Sequence, residues 1–325
     1  MAWDSVLEQL FAKRILQAHL AEGCVAGAYL LAGPEGVGKF QLAMEMAKAL
    51  VCASPGARPC DDCLTCRQVS RRAHPDVHVI QPEGGASSPI KIEEIRHLLG
   101  RVALRPFSAA MQVAVIDGAE RLTEEAANSL LKTLEEPSRS TRFLLTTVRP
   151  SHCLPTIVSR CQVIRCHPLS PEAIARLLAA SAQTEPAVAQ MVAQLSGGSA
   201  SLAQELAKRW DGYRGDLDRF ASHTAVAWSG QMPESRQDVG KLLDGLLAWL
   251  RDVTVAATAQ AVGLAHAGYA DSIERLAARV DVDRCVDAGL ALVALRESLE
   301  QYANPKLVAA LAREEWLALT AATHG

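Results

Sequence analysis

Gly33-Pro34-Glu35-Gly36-Val37-Gly38-Lys39-Phe40 decides how this chain is read. An apolar run, Ala28-Tyr29-Leu30-Leu31-Ala32, precedes it and reads as a buried strand. After it, Leu42, Ala43, Met46, Ala47 and Leu50 recur at helical spacing. Strand, glycine-rich loop and helix is the context that a phosphate-binding loop requires. Gly33, Gly36 and Gly38 let backbone N–H groups wrap a phosphate, the helix N-terminus adds positive potential, and Lys39 reaches the outer phosphates.

One position departs from an ATPase. The residue after Lys39 should carry a hydroxyl to hold Mg²⁺, and here it is Phe40. Further on, Gln112-Val113-Ala114-Val115-Ile116 reads as a buried strand ending in Asp117, the place of a Walker B acid. The Glu that activates water in many such ATPases would follow, but Gly118 stands there. The loop is thus degenerate, with weak or no nucleotide binding expected and a structural remnant favoured.

Cys52, Cys60, Cys63 and Cys66 follow the loop's helix with spacing C-x7-C-x2-C-x2-C. Four thiolates this close suit a structural Zn²⁺ with no open coordination position. His74 and His78 lie nearby and read as structural, since the thiolates already fill a tetrahedron. Cys24, Cys153, Cys166 and Cys285 are assigned no role beyond apolar packing.

Strands and helices alternate from about residue 28 to residue 166, which indicates a doubly wound α/β nucleotide-binding fold. Residues 5–20 read as an amphipathic helix before it, and residues 81–89 as a Gly/Ser/Pro-rich loop. After Pro168 only helical patterns are expected, over residues 171–182, 185–195, 202–210, 238–257, 272–280, 282–302 and 305–319.

The 325 residues carry a net charge of −3, with 49% apolar and only 4% aromatic residues. That excludes a strongly basic nucleic-acid binder and favours helices packed through aliphatic side chains. Met1-Ala2-Trp3-Asp4 does not begin a signal peptide, and no apolar run approaches a membrane span. The chain reads as cytoplasmic, where disulfides are rare, so its nine cysteines need another reason.

Two further stretches join the loop and the cysteines: Leu130-Leu131-Lys132-Thr133-Leu134-Glu135-Glu136-Pro137 and Ser159-Arg160-Cys161. Together these motifs resemble the bacterial DNA polymerase III clamp loader, of the AAA+ class. The hydrolysing gamma/tau subunits carry Ser or Thr after the loop lysine, an acidic pair at Walker B, and an Arg after a Gly-Ser pair. Here Phe40, Gly118 and Gly198-Ser199-Ala200-Ser201 fill those places. The chain is in this respect similar to the delta-prime subunits, the non-hydrolysing members.

The resemblance implies three domains. These are an AAA+ phosphate-loop domain over residues 1–166, with its zinc module at about 52–66, a small helical lid over 167–207, and a helical collar over 208–325. It implies gamma/tau and delta subunits as partners. The sliding clamp and primer-template DNA would be met through the assembly, with no membrane. It also implies that Arg160, within Ser159-Arg160-Cys161, acts as a trans arginine finger on ATP bound by the neighbouring subunit. No ATPase activity of its own is expected of this polymerase subunit. Three other readings compete: an active gamma/tau-like ATPase; a zinc-stabilised phosphate-loop nucleotide kinase, for which the sequence offers neither acceptor site nor basic lid; and a stand-alone DNA-binding protein, against which the net charge of −3 and the lack of a basic, aromatic-interleaved patch argue.

Overall fold

Five short strands form one parallel sheet: β1 (Ala28–Ala32), β2 (Val77–Ile80), β3 (Gln112–Ile116), β4 (Thr141–Thr147) and β5 (Gln162–Arg165). Their order is β2-β3-β4-β1-β5, so the phosphate-loop strand β1 lies between β4 and β5. In the computed structural model, which describes residues 3–82, 88–180, 184–222, 228, 232–258 and 263–321, every residue of β1 and β3 is buried. The reason is that both faces are covered. Tyr29, Leu31, Val113, Val115 and Leu144 pack with Leu42, Met46 and Leu50 of α2 (Lys39–Val51). The alternate residues Leu30, Ala114, Ile116, Phe143 and Leu145 pack on the other face. Their partners there are Ile95 and Leu98 of α4 (Ile92–Val102) and Leu130 and Leu134 of α5 (Glu124–Glu135). The expected α/β fold is therefore present as a helix–sheet–helix sandwich.

The chain divides into two compact units, residues 1–173 with 198–201, and residues 174–197 with 202–325. In the first, the N-terminal helix is shorter than its apolar spacing suggests. α1 runs Leu10–Ala21, and residues 5–9 are not helical. Tertiary bonds win over local propensity here. Gln9, at φ 46°, donates to the carbonyls of Val37 and His167 and accepts from His167 N–H. The Glu8 carboxylate accepts from the N–H and hydroxyl of Ser170. Two short helices went unread in the sequence, α3 (Leu64–Ser70) and α6 (Pro155–Val158). Of the loop read over residues 81–89, residues 83–87 lie outside the described residues.

α7 (Pro171–Ala180) crosses the division, and residues 181–182 of the helix read there lie outside the described residues. Within the second unit the described residues form helices only. They are α8 (Pro186–Leu195), α9 (Ala200–Lys208), α10 (Trp210–Ser222), α11 (Arg236–Ala257), α12 (Ala270–Ala277), α13 (Val282–Glu300) and α14 (Pro305–Ala321). α9 begins at the end of the first unit. α10 escaped the sequence reading because Gly212, Gly215 and its charged residues dilute the apolar spacing; Tyr213, Leu217 and Phe220 still face inward. Phe220 packs against Trp228, Trp249 and Trp316. Beside them Asp252 accepts from the backbone N–H and Nδ1 of His266, each at 2.8 Å, and His266 Nε2 pairs with Tyr213 OH at 3.0 Å. Among the described residues no helix is long and apolar enough to cross a membrane.

Candidate functional site

The phosphate-type loop leaves β1 at Ala32 and enters α2 at Lys39. Gly36 and Gly38 have φ of 74° and 93°, conformations that L side chains rarely adopt. Gly36 is also crowded, because a Cβ there would collide with the hydroxyls of Ser199 and Ser201. The backbone explains the approach: Ala200 N–H donates to Gly36 C=O at 2.9 Å. Lys39 is buried and its Nζ donates to the loop's own carbonyls, Gly33 at 2.8 Å and Pro34 at 2.6 Å. Burial lowers its pKa. A cavity of about 420 Å³ opens beside the loop, lined by Gly38, Lys39, Gln81, Asp117, Gly118 and Thr146 among others.

The cavity keeps carboxylates, Asp117 with Glu35 and Glu120, but lacks the hydroxyl that would hold a cation at the loop. Phe40 offers no oxygen; its ring packs on the core face of α2 and lies under the Arg72 guanidinium, 5.0 Å from ring centroid to Cζ. Asp117 Oδ1 accepts from the Thr146 hydroxyl at 2.7 Å, and Oδ2 accepts from Gln81 Nε2 at 3.0 Å. Gly118 sits at φ 87°, and a Cβ there would stand 3.1 Å from Arg121 Cδ. A Glu at this place would be strained as well as crowded. Gln81 and Thr146 escaped the sequence reading; their one signal is their place at the C-terminal ends of β2 and β4, where parallel sheets bind ligands.

The four-cysteine module grows from the far end of the same helix. Cys52 caps α2, Cys63 caps α3 by accepting from Cys66 N–H at 3.4 Å, and Cys66 is buried within α3. All four sulfurs lie within 4.8 Å of one another, with Cys52–Cys60 at 3.6 Å and Cys60–Cys66 at 4.0 Å. With Zn–S bonds of about 2.3 Å, a tetrahedron has edges of about 3.8 Å. The donor set and spacing therefore fit a tetrathiolate metal site. N–H groups of Cys63 and Asp62 hold the Cys60 thiol down to about 6, so it presents thiolate readily. Trp3 Nε1 bonds Arg58 C=O at 3.2 Å and Lys48 Nζ bonds Asp61 at 2.6 Å, which ties the module to the domain. His74 Nδ1 accepts from Asp76 N–H and His78 Nε2 pairs with Gln112 Oε1. Both histidines are engaged outside the metal cluster.

Ser159-Arg160-Cys161 follows α6. The Arg160 guanidinium is partly exposed, donates to Thr156 C=O at 3.1 Å and is ion-paired with Glu135 at the end of α5. Two stretches singled out separately in the sequence thus meet, while none of these partners belongs to the phosphate-type loop. Ser159 bonds Thr156 C=O, and burial pushes the Cys161 thiol up to about 12, which leaves it inert.

A family model described as DNA polymerase III, delta subunit, matches residues 8–170. The delta-prime subunits of DNA polymerase III from Pseudomonas aeruginosa and Bacillus subtilis are 40% and 32% identical over 208 and 205 residues. This chain belongs to the DNA polymerase III delta-prime family. The alignments cover 63% of this chain, and 60% and 61% of those relatives. The tau subunit of Escherichia coli is also similar, 35% identical over 59% of this chain and 31% of its own. A solved gamma subunit-related protein of Thermotoga maritima aligns over 94% of this chain and 99% of its own, at 17% identity and a TM-score of 0.46.

Proposed function

We propose that this chain is the non-hydrolysing delta-prime-type subunit of a cytoplasmic DNA polymerase III clamp loader, working beside gamma/tau-type and delta-type subunits. In this reading the assembly loads the sliding clamp onto primed DNA, and ATP is bound and cleaved by the partners. The observation that carries the reading is Phe40, whose ring packs on the core face of α2 where a metal-holding hydroxyl would stand. Without that hydroxyl, and with Gly118 where a water-activating Glu would stand, the loop lacks two parts of an ATPase site.

Arg160 supplies what the chain contributes to catalysis. A guanidinium stays charged and meets phosphate oxygens as a planar fork. Presented to a neighbour's ATP, it exchanges its Glu135 partner for the γ-phosphate and stabilises the charge that develops there. The cysteine module holds Zn²⁺ as a structural ion, with Cys52, Cys60, Cys63 and Cys66 as ligands. The helices beyond residue 166 act as a small lid, residues 167–207, and an oligomerising collar, residues 208–325.

The test is ATP hydrolysis by the purified chain, alone and with tau-type and delta-type subunits, as wild type and as Arg160→Ala. An inert chain that raises partner hydrolysis only when Arg160 is present supports the reading. Hydrolysis by the lone chain, abolished by Lys39→Ala, would make it a gamma/tau-like motor instead.

A further inference from the structure

β2 is an outer strand of the sheet and pairs with β3 alone. The carbonyls of Asp76 and Ile80 accept from Val113 and Asp117 N–H, so residues 76, 78 and 80 turn their backbone toward β3. Strand alternation turns the backbone groups of Val77 and Val79 the other way. Val77 N–H closes on His74 C=O at 3.2 Å. Among the described residues, no backbone group pairs with the Val77 carbonyl or with either group of Val79 on that open side.

Such an edge is usually blunted or covered. Here a cavity of about 640 Å³ runs along all four residues of β2. Val77 and Val79 pack toward α2 and Ile80 toward α4 and α5, so what the four share is the edge itself. The wall of the cavity is basic. On one side α4 presents Glu94, His97 and Arg101, spaced three and four residues apart along one face. On the other stands Arg72, exposed like His97 and Arg101. Glu94 is the one carboxylate among the lining residues, and its Oε1 already accepts Lys91 N–H at 3.0 Å.

We infer that this cavity takes an extended acidic segment of another protein, which adds to the sheet as a strand beside β2. A polypeptide supplies what the edge lacks, N–H groups for the Val77 and Val79 carbonyls and a carbonyl for Val79 N–H. Side chains of an added strand alternate between faces, so its carboxylates meet His97 and Arg101 on one side and Arg72 on the other. The phosphates of a nucleic acid would satisfy the arginines but have no N–H to give those carbonyls. A second copy of this edge would bring like charge against like. The site depends on neither the arginine-finger nor the zinc reading.

The test uses the full chain and a short fluorescein-labelled peptide of alternating glutamate and valine, followed by anisotropy. A lysine–valine peptide and a short single-stranded DNA are run beside it. The glutamate peptide is expected to bind at least about tenfold more tightly than either. Arg101→Glu should weaken it by at least about tenfold and leave thermal unfolding unchanged, because Arg101 is exposed. On the saturated chain, hydrogen exchange at the Val79 amide should slow at least about tenfold, which charge pairing alone would not do. No binding of the glutamate peptide up to about millimolar would overturn the inference. So would equal or tighter binding of the lysine peptide or the DNA, full affinity in Arg101→Glu, or a Val79 amide that still exchanges freely when the peptide is bound.

Discussion

The guanidinium of Arg160 is paired with the carboxylate of Glu135. The side chains are 28% and 51% exposed, so the pair contributes less than about 1 kcal/mol to stability. Its effect is on orientation, since it fixes a long side chain at the end of α6. Replacing Arg160 by Ala is therefore expected to change unfolding free energy by less than about 1 kcal/mol. On the proposed arginine-finger role, the same change in a reconstituted loader should cost at least about tenfold in ATP hydrolysis, since arginine fingers are worth about 10³ to 10⁵ in rate. Arg160→Lys should restore little, since an ammonium lacks the planar fork. Steady-state hydrolysis beside thermal melts of the isolated chain checks all three.

Asp76 gives a prediction in pH. Its buried carboxylate accepts from the N–H groups of Phe107, Ser108 and Ala109, at 2.6, 2.8 and 2.8 Å, and from the Ser108 hydroxyl at 3.0 Å. Burial alone would raise its pKa, but these donors outweigh it and the pKa is lowered. A carboxylate depressed in the folded state stabilises fully above its unfolded value, about 3.9, and loses that contribution as pH falls through the lower folded value. Asp76→Asn should cost about 2–3 kcal/mol at pH 7, because charged acceptors of N–H bonds are worth about that much. The gap to wild type should narrow steadily below about pH 4, measured as urea midpoints across a pH series.

The sheet, the loop and the cysteine cluster were legible because each is written in local spacing. An apolar run buried on both faces, glycines ahead of a helix and closely spaced cysteines depend on few distant partners. What failed to show depends on contacts far apart in sequence. Gln9 abandons helix for bonds to Val37 and His167, and nothing in its own neighbourhood foretells them. Gln81 and Thr146 hydrogen-bond Asp117 beside the cavity, yet their one signal is their place at strand ends. The sequence revealed the loss at Phe40 and Gly118. It did not reveal that Asp117 is hydrogen-bonded by Thr146 and Gln81.

The sulfur cluster predicts metal content and its consequence. Purified chain should carry about one zinc per chain, and Cys60→Ser with Cys63→Ser should abolish it. A structural zinc supplies on the order of 10 kcal/mol to the segment it closes. Trp3 to Arg58, Lys48 to Asp61 and the packing of Val69 on the core hold the segment otherwise, and they supply less than that. Hydrogen exchange in residues 52–72 should therefore rise sharply in the double variant. Amides of β1, β3 and β4 should stay protected, since their bonds run strand to strand. Equal protection of residues 52–72 with and without metal would show that the cysteines are a packed cluster and nothing more.

The proposed collar role makes a prediction about α13. Cys285, Ala288, Leu292 and Leu299 face the helical core, yet Val286, Leu290 and Val293, spaced four and three residues apart, are exposed. On α14, which packs against α13, Leu307 and Leu311 are exposed in the same way. A helix apolar on two sides is one that expects cover on both. In the collar reading that cover is a neighbouring loader subunit. Leu290 is 64% exposed, so Leu290→Glu should leave the isolated chain within about 0.5 kcal/mol of wild type. Assembly with tau-type and delta-type subunits should weaken by at least about tenfold, as loss of a buried anchor does. Leu292→Glu, on the buried side, should instead unfold the helical unit. Sedimentation velocity on both variants separates the cases: if Leu290→Glu assembles as tightly as wild type, the outward stripe of α13 is not an assembly surface.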